Sequence, residues 1–273
     1  MKPYDTLREK IIKYIQSCHL DDGGYFFARI PPSSGMDTYF AVKSLVMLGE
    51  KPDNAEKTEL FLKSGIEDGS LNNLTGIFLS SEVLNELDMI NNKFINHAFK
   101  LVQGMKNEPG GFGAYKDINI ETPSELQDTY RAVKILNIIG RDINKPELFE
   151  FTCQFLNADG GYGANNYSTL ASTYYATEIY KILGFDVKEL AVTRDYLRKI
   201  EARWQISSIE DLFWLSGALA NLNEGVDYAE RASDFVLECL RYNGGLARVP
   251  IIGIPNLEYT FYGLSILKNT GYL

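Results

Sequence analysis

Along this chain a polar residue recurs twelve positions before a Gly or Asn, and the stretch between them is apolar at helical spacing. The pairs are Asp37/Gly49, Asp128/Gly140, Ser172/Gly184, Asp211/Asn223 and Tyr259/Gly271. Val42, Leu45 and Leu48 fill the first stretch, and Val133, Leu136 and Ile139 fill the second. This spacing predicts helices of about three turns. A short oxygen-bearing side chain suits the N-cap, because it can accept from a free N–H of the first turn. Asp37, Asp128, Ser172 and Asp211 fit that role; Tyr259 does not, and Thr260 takes its place. The closing Gly or Asn supplies the left-handed residue that ends a helix. A second set of helices is predicted over 6–18, 54–63, 92–104, 146–156, 187–200 and 227–240, and one further capped-type helix lies within 74–87.

Paired glycines precede four of the capped stretches: Gly23-Gly24, Gly110-Gly111, Gly160-Gly161 and Gly244-Gly245. Two of the gaps between them have room for another unit. Asp68-Gly69-Ser70-Leu71 marks the first, and the segment around Arg203-Trp204, which has no glycine pair, marks the second. Six units over 273 residues make a period of about 45 residues, within the range of repeat architectures. An open helical solenoid would need polar caps at both ends. Six near-equal hairpins can instead close into a ring. The expectation is therefore an all-α fold: an α/α toroid, or α6/α6 barrel, of six helical hairpins in a single domain over 1–273. The capped helices are the better inner set, because stretches such as TYFAVKSLVMLG are apolar on more than one face.

Charge narrows the partners. Thirty-six acids against 27 Lys and Arg give a net charge of −9, which argues against a nucleic-acid partner. The longest uncharged helical candidate, 212–223, is too short to span a bilayer. The first seventeen residues carry no apolar run of the kind a signal peptide needs. Three cysteines without a CxxC spacing point to a reduced compartment, hence a cytoplasmic location.

Units reading GG-aromatic, a variable loop, then D-T-Y and an apolar helix ending L-G resemble the repeat of terpenoid cyclases and protein prenyltransferase β subunits. GGYFFARIPPSSGMDTYFAVKSLVMLG and GGFGAYKDINIETPSELQDTYRAVKILNIIG carry the likeness. The resemblance implies a zinc site in prenyltransferases, with an Asp and a Cys two residues apart and a His on the next inner helix. Here those positions hold Asp211, Phe213 and Tyr259, so one ligand of the three remains. The diphosphate-binding Arg and Lys positions hold Gln205 and Ser208, with Arg203 two residues away. In cyclases the resemblance implies a D-x-D-D-T acid; here the acid position is Gln127, beside Asp128-Thr129. No cofactor or metal is expected. Asp128 and Asp211 are the candidate catalytic acids, with helix capping as the competing role.

Arg29 and Lys116 each lie five residues after a second glycine, on equivalent loops, and are candidates to hold an anion at the inner-helix N-termini. Asp37, Asp128, Asp211 and Glu258 are expected along one rim, where like charges raise a carboxyl pKa. The remaining feature is aromatic: Tyr39, Phe40, Tyr130, Tyr174, Tyr175, Phe213, Trp214, Phe261 and Tyr262 follow the cap in unit after unit. On inner helices they would ring one end of the bore and form a π-rich funnel. Three readings follow. The first is an isoprenoid-handling protein, a prenyltransferase-like transferase or terpene cyclase without zinc. The second is a non-catalytic toroid that binds an apolar ligand or a prenylated peptide. The third is a plugged scaffold with a protein partner, a helical one by analogy with the α subunits of the prenyltransferases.

Overall fold

In chain order the helices alternate between an outer and an inner layer. The first three pairs are α1 (Pro3–Gln16) with α2 (Gly35–Met47), α3 (Ala55–Glu67) with α4 (Leu74–Glu86), and α5 (Asn92–Gly104) with α6 (Leu126–Ile138). The last three are α7 (Lys145–Cys153) with α8 (Leu170–Leu183), α9 (Ala191–Ala202) with α10 (Ile209–Asn221), and α11 (Ala229–Glu238) with α12 (Leu257–Asn269). This computed structural model describes residues 3–108, 110–116 and 122–273; residues 117–121 of the third-unit loop lie outside the described set.

The even-numbered helices pack each on the next, and α12 returns to α2. The ring is therefore closed, as an α/α toroid. The outer helix α1 is tied across the same seam, where its Tyr14 hydroxyl donates to Pro255 O in the loop just before α12. Among the described residues no helix is long and apolar enough to cross a membrane.

The inner helices begin three residues earlier than the sequence pattern suggests. Their caps are Ser34, Asn73, Glu125, Thr169, Ser208 and Asn256, and all but Glu125 accept a hydrogen bond from the backbone N–H three residues on. The expected caps Asp37, Asp128, Ser172 and Asp211 all stand at the third helical position, N3, as does Tyr259, and the expected cap Thr260 stands at N4. Asp211 completes a capping box, its carboxylate accepting from the Ser208 N–H while the Ser208 hydroxyl accepts from the Asp211 N–H. The cap role thus belongs to the preceding polar residue. The other end agrees with the pattern: Gly49, Gly140, Gly184, Asn223 and Gly271 all have positive φ, and Asp88 does the same in the second unit.

The glycine pair has a packing reason. Gly160 sits at φ +92°, and a Cβ there would run into Val192 O on α9; a Cβ on Gly161 would meet Tyr196 and Ser168. The pair lets the loop lie against the outer helix of the next unit. Around the seam the same contact is made by Gly244 on Lys10 O of α1. The loop is tied to its own inner helix by the threonine at N4. Thr173 Oγ1 accepts from the Tyr162 N–H at 3.0 Å and donates to Thr169 O at 2.7 Å. Thr38, Thr129 and Thr260 accept in the same way from the residue after their own glycine pairs. In the two units without a glycine pair the N4 residues are Ile77 and Leu212.

Candidate functional site

With the caps fixed, one position stands out. The fifth residue of each inner helix, N5, is Tyr39, Phe78, Tyr130, Tyr174, Phe213 and Phe261, aromatic in all six. These rings touch in sequence around the bore, Tyr39–Phe78–Tyr130–Tyr174–Phe213–Phe261 and back to Tyr39, with centroid separations from 5.3 to 6.4 Å. Edge-to-face and tilted pairs at such distances each add about 0.5–1.5 kcal/mol beyond the area they bury. The result is a belt that closes the tube.

One turn below, at N9, the bore carries Lys43, Glu82, Lys134 and Glu178 on successive helices. Lys43 Nζ pairs with Glu82 at 2.9 Å and with Glu86 at 2.5 Å, and Lys134 lies 3.8 Å from Glu82. Glu178 accepts from Asn221, whose own amide oxygen accepts from Lys181. Burial pulls the Lys43 ammonium down, but the two glutamates outweigh it and hold the group charged. Burial, with Glu178 close by, pushes the Tyr39, Tyr130 and Tyr174 hydroxyls well above the usual tyrosine range, and Glu82 adds to it for Tyr39 and Tyr130. They stay neutral. The bore is thus filled by an aromatic layer over an ionic one.

Above the belt, at the inner-helix N-termini, is a cavity of about 120 Å³. The belt forms its floor. The aromatic residues at N6, namely Phe40, Tyr175, Trp214 and Tyr262, form its walls, and Gln127, Arg131 and Glu258 its lip. Tyr262 stacks on Phe213 at 4.2 Å, and its hydroxyl donates to Glu258 Oε1 at 2.9 Å. Gln127 donates to the Tyr175 hydroxyl. Arg131 is held by Asp128 at 2.9 Å. Asp37 Oδ2 accepts from the Phe27 N–H. Burial, helped by the charge of Glu258, lifts its carboxyl to about 6. Burial also lifts Glu258, against the hydrogen bond from Tyr262 and with a push from Glu210.

The sequence-derived candidates divide. Tyr39, Tyr130, Tyr174, Phe213, Trp214, Phe261 and Tyr262 do converge, five of them as belt and two as wall. Asp128 is a helix residue paired to Arg131. Asp211 Oδ2 accepts from the Ser207 N–H, the Ser207 hydroxyl and the Ser208 N–H, so it organises the start of α10. The candidate anion-holding cations point elsewhere. Arg29 donates to Ser17 O and Oγ and lies over the Tyr14 ring, on the outer layer. Lys116 donates to Lys106 O and Asn107 Oδ1. Arg203 is an exposed residue at the end of α9. The cation that does line the cavity is Arg131. Its signal in the sequence is that it interrupts the aromatic register at N6.

The residues at the zinc positions do not fit the metal. Phe213 has no donor atom and belongs to the belt, Tyr259 offers a phenol in place of an imidazole, and Asp211 is engaged with two serines. Among the described residues no group of three or more His, Cys, Asp or Glu side chains could hold a metal ion.

Comparison with known proteins accords with this architecture. Residues 2–76 match the family model of the prenyltransferase alpha-alpha toroid domain, and residues 115–241 match that of the ribophorin II N-terminal domain. Protein geranylgeranyltransferase-I from Candida albicans, solved in complex with GGPP, superposes with a TM-score of 0.77 at 16% identity, over 96% of this chain and 91% of that one. A type II terpene cyclase from Scytonema, solved with geranylgeranyl dihydroxybenzoate as substrate, superposes with a TM-score of 0.64 at 9% identity, over 98% and 97%. No curated protein sequence matches the chain. The fold is an α/α toroid, the fold of these two solved structures.

Proposed function

We propose that this toroid is a binding protein that takes one compact group at the mouth of its ring, and that it is not a zinc-dependent prenyltransferase. The belt carries this reading. An apolar cavity of about 150 Å³ holds benzene, and sites for larger ligands run to roughly 300–1,000 Å³. The space above the belt is about 120 Å³. A geranylgeranyl chain, the group in both neighbours' ligands, is several times larger than benzene. Isoprenoid handling, the reading suggested by those neighbours, requires the six rings to part and the ionic layer beneath them to be desolvated. A short branched group presented from the rim requires neither.

A thermal-shift titration with GGPP, geranylgeraniol and inorganic diphosphate separates the two. A lipid bound only by the folded chain and present at 100 times its Kd would add about 2.7 kcal/mol, roughly 5–10 °C in Tm for a domain of this size. The expected result is no shift specific to the lipid diphosphate. Stabilisation by GGPP beyond both of its fragments would overturn the proposal and restore an isoprenoid site.

A further inference from the structure

The cavity at the mouth has a charge imbalance as well as a size. Arg131, the cation of its lining, is already neutralised by Asp128 at 2.9 Å, and Arg248, outside the lining, by Glu210 at 2.6 Å. Glu258, in the lining, and Asp37, next in sequence to the lining residue Met36, are different. Among the described residues neither has a cation within ion-pair distance, and each is held by one donor, the Phe27 N–H and the Tyr262 hydroxyl respectively. Asp37 is buried and Glu258 half-buried, so water compensates them less well than at an open surface. An uncompensated buried carboxylate costs free energy that a neighbouring cation would recover.

The walls say what kind of cation. Phe40, Tyr175, Trp214 and Tyr262 line the space, and aromatic rings attract positive charge to their faces, Trp most strongly. A small metal ion needs several oxygen or nitrogen ligands, and the lining offers one carboxylate among rings. An anion would meet both the Glu258 charge and the negative ring faces. A neutral apolar group would satisfy the rings and leave Glu258 bare. We infer that the mouth of the ring is a site for a compact organic cation of the alkyl- or quaternary-ammonium class, seated on Trp214, Tyr175 and Tyr262 with Glu258 as its counter-ion. This deepens the binding reading above and rests on it.

The test is calorimetric titration with choline beside its neutral isostere 3,3-dimethylbutan-1-ol, which has the same shape without the charge. Choline is expected to bind at least tenfold more tightly than the isostere. Glu258→Gln, which keeps an acceptor for the Tyr262 hydroxyl, is expected to weaken choline at least fivefold and leave the isostere unchanged. Trp214→Leu is expected to weaken choline by a similar factor, with Tm reporting that each variant remains folded. A peptide carrying trimethyl-lysine, run beside the same peptide unmethylated, distinguishes a free ammonium ligand from one displayed on a protein. Equal binding of choline and isostere would overturn the cation assignment and leave a compact apolar site. Absence of binding by choline and both peptides to the folded wild-type chain would also overturn it. Neither outcome touches the GGPP titration, so failure of the cation site and failure of the binding reading are separately visible.

Discussion

Four units of the ring carry a glycine pair and two do not, yet all six deliver an aromatic residue to the same point of the bore. In the four, the loop lies against the next outer helix, and a threonine at N4 ties it to the inner helix. In the fifth unit the capping box of Ser208 and Asp211 starts α10 instead, and the Ile209 N–H reaches Arg248 O in the neighbouring loop. In the second unit Asn73 caps α4, and Gly76 stands where a Cβ would run into Leu71 O. The lesson is that the loop device and the N5 aromatic are independent constraints. The first joins neighbours, while the second closes the tube.

Substitutions can break this comparison. The largest effect is expected from Gly160→Ala, which adds positive-φ strain and a clash with Val192 O, for a loss of about 3 kcal/mol or more. Gly69→Ala in the second unit is the control: its φ is +94°, but nothing lies within 4 Å of the new Cβ, so strain alone should cost roughly 1 kcal/mol. Denaturant midpoints measure both, and equal losses would mean that the glycine pair is a turn device rather than a packing one. Next comes Thr173→Val. It leaves the buried Tyr162 N–H without an acceptor, and about 1–3 kcal/mol should be lost, whereas Leu212→Val in a unit without that bond should show only the smaller cost of a lost methylene.

At N3, two aspartates in the same register should respond with opposite sign. Asp211→Asn weakens the capping box and should cost about 1 kcal/mol. Asp37→Asn should stabilise at neutral pH. The sign follows from the raised carboxyl. At about 6 in the folded chain, against about 3.9 unfolded, the group favours folding fully below pH 4, and that contribution is lost as pH rises through 6. Tm of the wild type should therefore fall between pH 4 and 7 relative to Asp37→Asn, and parallel Tm profiles would contradict the assignment. Glu258, Cys18 and Tyr14 are the titratable groups facing Asp37, so Glu258→Gln should shrink the difference.

How much of this was legible in the sequence depends on the residue. The helix ends were, because a left-handed residue is a strong local demand that Gly49 or Asn223 meets visibly. The helix starts were not. Asp37 and Ser34 are both good caps by type, and only the backbone decides between them. The three-residue error had a consequence at the site. Measured from Asp37, Tyr39 and Phe40 look like one aromatic group. Measured from Ser34, they separate into belt and wall. A funnel could be read from the repeat, but its closure depends on ring-to-ring distances that composition does not contain. The loop cations misled for a related reason. Arg29 and Lys116 occupy equivalent sequence positions, but each finds a nearby carbonyl before it can reach the mouth.

The join between the first and last units has a consequence for how the ring assembles. Tyr14 and Pro255 are 241 residues apart in sequence, and α2 meets α12 across the same joint. Closing a loop of that length costs conformational entropy before any contact repays it, although the cost grows only logarithmically with length. An open repeat array can add or lose an end unit at the price of one interface. In this ring every unit has two neighbours, so releasing any one of them breaks two interfaces at once. Unfolding should therefore be more cooperative than in an open array of the same helices, with no frayed end at which to begin.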